Sequence, residues 1–321
     1  MNITILGCGR WASFHAWYQA EILGNNVLVW GPDDKFYREL AATHKNAYVT
    51  LPDSINFTND LEKAINFADY IIISISSQSM PECCKRIGAL KPKGKTFVLC
   101  MKGIIDTSGE RLSTVITREI DNSNKVNVWV GPGHPQELAS GSPNIMIIAG
   151  SDAESVSDVA GKFKSKLIRL YEGEDLLGVE IGAAAKNVIG IMAGLLDGAG
   201  RTSLKGALMA RGVYEVSHLI VAMGGDQLTA YGISHLGDYE ATLFSKNSHN
   251  RMYGECLYKG EKMDSLAEGV ATSKAIQLLA KKYNVEMPIC RLCYEILYEG
   301  KSPDEGFFEL FERNYAKEFR F

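Results

Sequence analysis

The sequence predicts an α/β fold: an N-terminal Rossmann-like doubly wound parallel sheet followed by an all-helical C-terminal domain. Short β-branched segments alternate with helical patterns through the first half. A glycine-rich turn follows the first of these segments, and strand patterns end near residue 175. The 321 residues, 46% of them hydrophobic, suffice for two ordinary domains with sizeable cores. A net charge of −4, from 34 basic and 38 acidic residues, gives no global reason to expect nucleic acid or a membrane surface as partner.

Ile3–Leu6 is the first expected strand. Leu6-Gly7-Cys8-Gly9-Arg10-Trp11-Ala12 then fits the G-x-G-x-x-G/A turn between strand and helix. Gly7 permits the tight turn, Gly9 lets backbone approach a pyrophosphate, and Ala12 is small enough for helix to meet strand. The helix N-terminus offers unpaired N–H groups to the phosphates. The second strand, Val27–Trp30, runs into Gly31-Pro32-Asp33-Asp34. A carboxylate at that point binds ribose hydroxyls, whereas an arginine receives a 2′-phosphate, so Asp33 and Asp34 favour NAD over NADP. The plainer reading is that the pair opens the next helix.

Tyr70–Ile75, Thr96–Cys100, Val126–Val130 and Ile145–Ala149 complete the expected strands, with helices over Asp60–Ala68 and Pro81–Ala89. Their near-continuous apolarity suits strands buried on both faces. Lys102 follows the fourth strand, at the sheet edge where ligands bind in open α/β folds, and reads equally well as a solvated lysine. Gly131-Pro132-Gly133-His134-Pro135-Gln136-Glu137 follows the next; its glycines either bring N–H groups to an anion or form an ordinary turn.

Beyond a boundary near 171–175, dividing the chain into 1–174 and 175–321, helices are expected over Leu176–Leu196, Leu204–Met223 and Ser265–Tyr283. Gly182, Lys186 and Gly190 share one face of the first at i, i+4 spacing. A lysine flanked by glycines in an apolar helix is expected to be buried beside open space, with a partner or a depressed pKa. That prepares a general acid or base, although a snorkelling lysine over a packing seam fits the same pattern. Leu236-Gly237-Asp238 through Thr242, then Ser245 to Arg251, crowd polar groups that suit a phosphate or a solvated loop.

The seven cysteines, with no secretory pattern ahead of Ile3, are expected to be free thiols in a reducing cytoplasm. Cys290 and Cys293 form a CxxC on an amphipathic run and read as core positions rather than a metal or redox site. No apolar stretch is expected to reach the length of about 18 residues that spans a bilayer.

In this order, these islands resemble the NAD(P)-dependent sn-glycerol-3-phosphate dehydrogenase family of bacterial type, over nearly the whole chain. The resemblance rests on the fingerprint with Trp11, Lys102-Gly103, Gly131-Pro132 with Glu137, Val179-Glu180 through Lys186-Asn187, Ala207-Leu208 with Arg211-Gly212, Leu236-Gly237-Asp238, Ser248 with Asn250, and Glu268-Gly269. It implies a dinucleotide-binding domain over 1–174 and a helical substrate-binding and dimerisation domain over 175–321. It also implies reversible reduction of dihydroxyacetone phosphate to sn-glycerol 3-phosphate for glycerophospholipid synthesis, and a cytoplasmic homodimer.

Carried over by position, Lys186 is the proton donor and acceptor, Lys102 contacts substrate and cofactor, and Asp238 orients the two lysines. Gly131, Gly133, Asn187, Thr242, Ser248, His249 and Asn250 join these three around the substrate. Gly7, Gly9, Arg10, Trp11, Ala12, Asp33, Pro135, His249, Leu266 and Glu268 fall to the cofactor. No metal is implied. His249 stands where the family has an arginine, with Arg251 as the neighbouring replacement, and Gly133 stands at a serine position. These departures motivate one alternative, a related dehydrogenase for another small phosphorylated or acidic ketone; a second, a non-catalytic dinucleotide-binding regulator, is opposed by the retention of Lys102, Lys186, Asn187 and Asp238.

Overall fold

A computed structural model describes residues 1–263, 265, 267–313 and 318. Eight strands form one sheet: β1 (Asn2–Leu6), β2 (Asn26–Trp30), β3 (Asn56–Thr58), β4 (Tyr70–Ile73), β5 (Thr96–Leu99), β6 (Lys125–Val130), β7 (Asn144–Gly150) and β8 (Ile168–Gly173). Their order is β3-β2-β1-β4-β5-β6-β7-β8. The first six run parallel in the doubly wound arrangement, whereas β7 is antiparallel to β6 and parallel to β8. The sheet is therefore mostly parallel, with a reversed pair on one side.

Two of these strands escape the sequence reading because they are edges. β3 has only three residues, Asn-Phe-Thr, and β8 mixes Arg169 and Glu172 into its apolar positions. Edge strands are commonly short or charged, so they lack the apolar run that marks a central strand. Helices cover both faces: Ile5, Val29, Ile72, Val98 and Trp129 belong to one core, and Leu6, Ile71, Ile73, Phe97 and Val128 to another. This alternation of side chains along buried strands follows from the pleat.

After β8, Asp175 accepts from the Gly178 N–H (2.9 Å) and caps a 23-residue helix, Leu176–Gly198. By length and composition this helix is apolar enough to cross a membrane, contrary to the expectation from sequence. Gly178 to Leu196 are all buried inside the protein, so it is a core helix that others wrap. Lys205–Ala222, His249–Lys259, Glu268–Tyr283 and Pro288–Tyr298 pack around it. Cys290 and Cys293 lie on the last of these and are fully buried in the core.

Small residues decide how close the helices come. A Cβ at Gly194 would collide with the Arg251 carbonyl, and one at Gly254 with the Ile191 carbonyl. The central helix and His249–Lys259 therefore cross with backbones in contact, which draws Asn250 against Asn187.

Candidate active site

Three polar side chains converge where the sheet meets the central helix. Lys186 comes from that helix, Lys102 from the segment after β5, and Asp238 from the short Leu236–Asp238 turn. Asp238 is 1% exposed, and its Oδ2 takes Lys102 Nζ at 2.6 Å and Lys186 Nζ at 2.9 Å. Lys186 Nζ also donates to Thr242 Oγ1 (2.6 Å), and Lys102 Nζ to the Gly131 carbonyl (2.5 Å). Thr242 lies in a π-helical turn, Glu240–Phe244, a local distortion often found at functional sites.

Burial is the main cause that lowers the Lys186 ammonium to about 8; Lys102 pushes the same way, and Asp238 opposes both. The group is thus protonated at neutral pH yet ready to give up its proton, as a general acid requires. The glycines beside Lys186 do not face open space as the sequence suggests. A Cβ at Gly182 would meet His235, and one at Gly190 would meet Thr242 and Asn250. They make room for the side chains that close over the lysine.

A second ring ties the elements together. Asn187 Nδ2 donates to the Lys102 carbonyl (2.8 Å), Asn250 Nδ2 to Asn187 Oδ1 (3.0 Å), and Gly269 N–H to Asn250 Oδ1 (2.9 Å). Each amide nitrogen keeps one N–H for a ligand. The polar cluster read as a loop is partly helical: Ser248 Oγ accepts from Arg251 N–H (3.3 Å) and caps His249–Lys259. His249 is half-buried in its first turn. Arg251, the expected stand-in for a cation at 249, is committed elsewhere. Its guanidinium bonds Asp197 (2.8 Å), Glu255 (2.8 Å) and the Ser245 carbonyl (3.1 Å).

The fingerprint supplies a dinucleotide cradle that the residues fit. Gly7 has φ +129° with Ser74 O against its α-carbon, a place closed to any side chain, and Ala12 packs beneath it. A Cβ on Gly9 would meet nothing within 4 Å, and no side chain caps the Arg10–Trp17 helix behind it. Its first N–H groups are therefore left for an anion. The Trp11 ring lies 5.4 Å from Lys102 Nζ, joining the cradle to the lysine pair.

The remaining expected residues divide. Asp33, exposed, is held by Arg38 (Nε–Oδ1 2.6 Å), while Asp34 accepts from Tyr37 N–H (2.8 Å) and caps Lys35–Thr43. The helical reading thus holds for Asp34, and Asp33 keeps a carboxylate at the end of β2. Glu268 opens Glu268–Tyr283 and accepts from the Ser77 hydroxyl and N–H, reaching across to the turn that follows β4. Leu266 lies outside the described residues. Pro135 is the buried first residue of Pro135–Ala139. Gly131 and Gly133 sit at φ +150° and +114°, so a serine at 133 would be strained and glycine suits this backbone.

Sequence reasoning missed His134. It is 6% exposed and shares a 2.7 Å hydrogen bond between its Nδ1 and Arg10 Nη2; burial first, then Arg10, lower it to about 4. A histidine inside a Gly/Pro run carries no local signal of such a contact.

A glycine-turn cradle joined to a lysine pair, one from the apolar central helix and one from the segment after β5, defines a two-domain, nicotinamide-dependent dehydrogenase. Residues 2–156 match the NAD-dependent glycerol-3-phosphate dehydrogenase N-terminus, and residues 175–307 match the C-terminus of the same family. The chain is 36% identical over 328 residues to glycerol-3-phosphate dehydrogenase (NAD(P)+) of Prosthecochloris aestuarii, covering 98% of each chain. It is 35% identical over 332 residues to that of Chlorobium phaeobacteroides, covering 99% of each. The crystal structure of glycerol-3-phosphate dehydrogenase from Coxiella burnetii superposes with a TM-score of 0.92 at 26% identity, over 97% of this chain and 99% of the other. The chain belongs to the NAD(P)-dependent glycerol-3-phosphate dehydrogenase family, and is an oxidoreductase acting on a CH–OH group.

Proposed function

We propose that the protein reduces dihydroxyacetone phosphate to sn-glycerol 3-phosphate, reversibly, with Lys186 exchanging the proton and the product serving glycerophospholipid synthesis. The observation that carries this reading is the buried Lys186 ammonium, lowered to about 8 and gripped by Asp238 and Thr242. Bound in the Gly7–Ala12 cradle, the nicotinamide cofactor supplies the hydride. Lys186 donates its proton to the carbonyl oxygen as that oxygen gains charge, and Lys102 adds a second positive charge beside it. Asp238 holds both ammonium groups in register. The spare N–H groups of Asn187 and Asn250, with the turn at Gly131 and Gly133, hold the substrate's hydroxyl and phosphate oxygens.

The test is oxidation of NADH and of NADPH with dihydroxyacetone phosphate. Turnover with it, and with no other small keto acid or ketone at equal concentration, is expected. A better competing ketone would instead support the related-dehydrogenase reading that His249 motivates. NADH is expected to be preferred, because Asp33 keeps a carboxylate just past the end of β2, where such a group binds ribose hydroxyls and would repel a 2′-phosphate. Asp33→Asn should then narrow the NADH preference by about 10-fold, the value of one charged hydrogen bond; an unchanged ratio would remove Asp33 from nucleotide selection.

A cytoplasmic homodimer is part of the same proposal. All seven cysteines are free thiols, and Val221, Leu228 and Tyr231 leave apolar surface on the helical half. Light scattering should give twice the 35.3 kDa of one chain.

A further inference from the structure

Half-buried arginines in this protein are matched with carboxylates: Arg111 with Glu180, and Arg251 with Asp197 and Glu255. Arg10 is not. Among the described residues no carboxylate oxygen lies within 4 Å of its guanidinium, and its Nε is buried without a partner. Glu137 favours the charge from a distance, while its own carboxylate accepts from Asn247 Nδ2 at 3.4 Å. Burial alone disfavours a guanidinium so placed, and an arriving anion would relieve it.

The neighbours of Arg10 tell which anion. Nη2 meets His134 Nδ1 (2.7 Å), Nη1 donates to the Asn247 carbonyl (3.2 Å), and Tyr48 stacks 5.4 Å from Cζ. His134 belongs to the Gly131–Pro135 turn, and Asn247 immediately precedes Ser248, His249 and Asn250. Both segments border the Lys186–Asp238–Lys102 centre, whose charges act on His134. Arg10 therefore links the Gly131–Pro135 turn to the segment that precedes Ser248, with the Tyr48 ring of the N-terminal half packed against it. Its backbone N–H, at the start of the helix, remains with the cradle whatever side chain is present.

We infer that Arg10 is a specificity-determining residue whose guanidinium supplies the fixed positive charge for the phosphate of the substrate. A guanidinium fits a phosphate with two parallel hydrogen bonds, which a half-buried imidazole at 249 does not offer. The inference rests on the proposed reading that the substrate is a phosphorylated ketone.

The experiment compares wild type, Arg10→Met and Arg10→Lys in steady-state reduction of dihydroxyacetone phosphate and of unphosphorylated dihydroxyacetone. NADH affinity is measured separately by fluorescence. Arg10→Met should lower kcat/KM for the phosphorylated ketone about 30-fold, chiefly through KM, and leave the unphosphorylated ketone within about 3-fold, as for a charged hydrogen bond lost. Arg10→Lys should recover part of that loss. Inorganic phosphate titrated into the enzyme–NADH complex reads the same contact without turnover and should bind about 10-fold more weakly to Arg10→Met. Equal losses on both ketones, equal phosphate affinity, or a weakened NADH complex with discrimination intact would each overturn the inference, the last assigning Arg10 to the cofactor's pyrophosphate. Absence of wild-type turnover with Arg10-dependent phosphate binding would leave it standing and remove the proposed substrate instead.

Discussion

Lys186→Ala should lower kcat for dihydroxyacetone phosphate about 10³-fold, in the range general acid catalysis supplies, while NADH binds as before. The alanine side chain removes the proton donor and leaves Asp238 and Lys102 still paired at 2.6 Å. The fold should tolerate the loss, because Lys102 continues to neutralise the carboxylate. The pH dependence gives an independent check. For ketone reduction the protonated lysine is the active form, so kcat/KM should fall as pH rises through about 8. For alcohol oxidation the neutral amine is needed, and the rate should rise through the same pH. Lys186→Ala should lose this limb in both directions. A mutant retaining the full rate, or the same limb, would show that another group moves the proton; Lys102 would be the first to test.

The features legible in the sequence are those that satisfy a local rule. β1, β4, β5 and β6 are apolar runs because both faces are covered, and the fingerprint must be written out consecutively to make its turn. Lys186 stood out because an ammonium in an apolar helix is costly unless something meets it. What meets it left no local pattern: Asp238 lies 52 positions on and Thr242 56, and only the family resemblance pointed to them, while the Arg10–His134 contact, 124 positions apart, left no signal at all. The same limit explains Gly182 and Gly190, read as flanking open space when they receive His235, Thr242 and Asn250. A glycine signals that something comes close, never what it is. Arg251 looked like a free cation beside His249 until Asp197, 54 positions back, was found holding it.

Asp238→Asn should be the most disruptive single change at the centre after loss of Lys186, and it separates holding from proton transfer. One buried oxygen accepts from two ammonium groups, and Asp238 is the influence that keeps Lys186 charged against burial and against Lys102. An amide of the same shape removes the negative charge and points either an oxygen or an N–H₂ group at two cations. Breaking a buried pair in this way costs about 3–5 kcal/mol, so the urea midpoint should fall markedly. The Lys186 limb should also move below its wild-type position near 8, because desolvation and Lys102 then act unopposed. Reduction at pH 7 should lose about 10²-fold or more, as the acid form is depleted and misplaced. Raising activity by assay at lower pH would separate the two causes: depletion is recovered there, misplacement is not. If the limb stays near 8 and only stability falls, Asp238 is a packing element and the lysine's charge is held by Thr242 and the substrate.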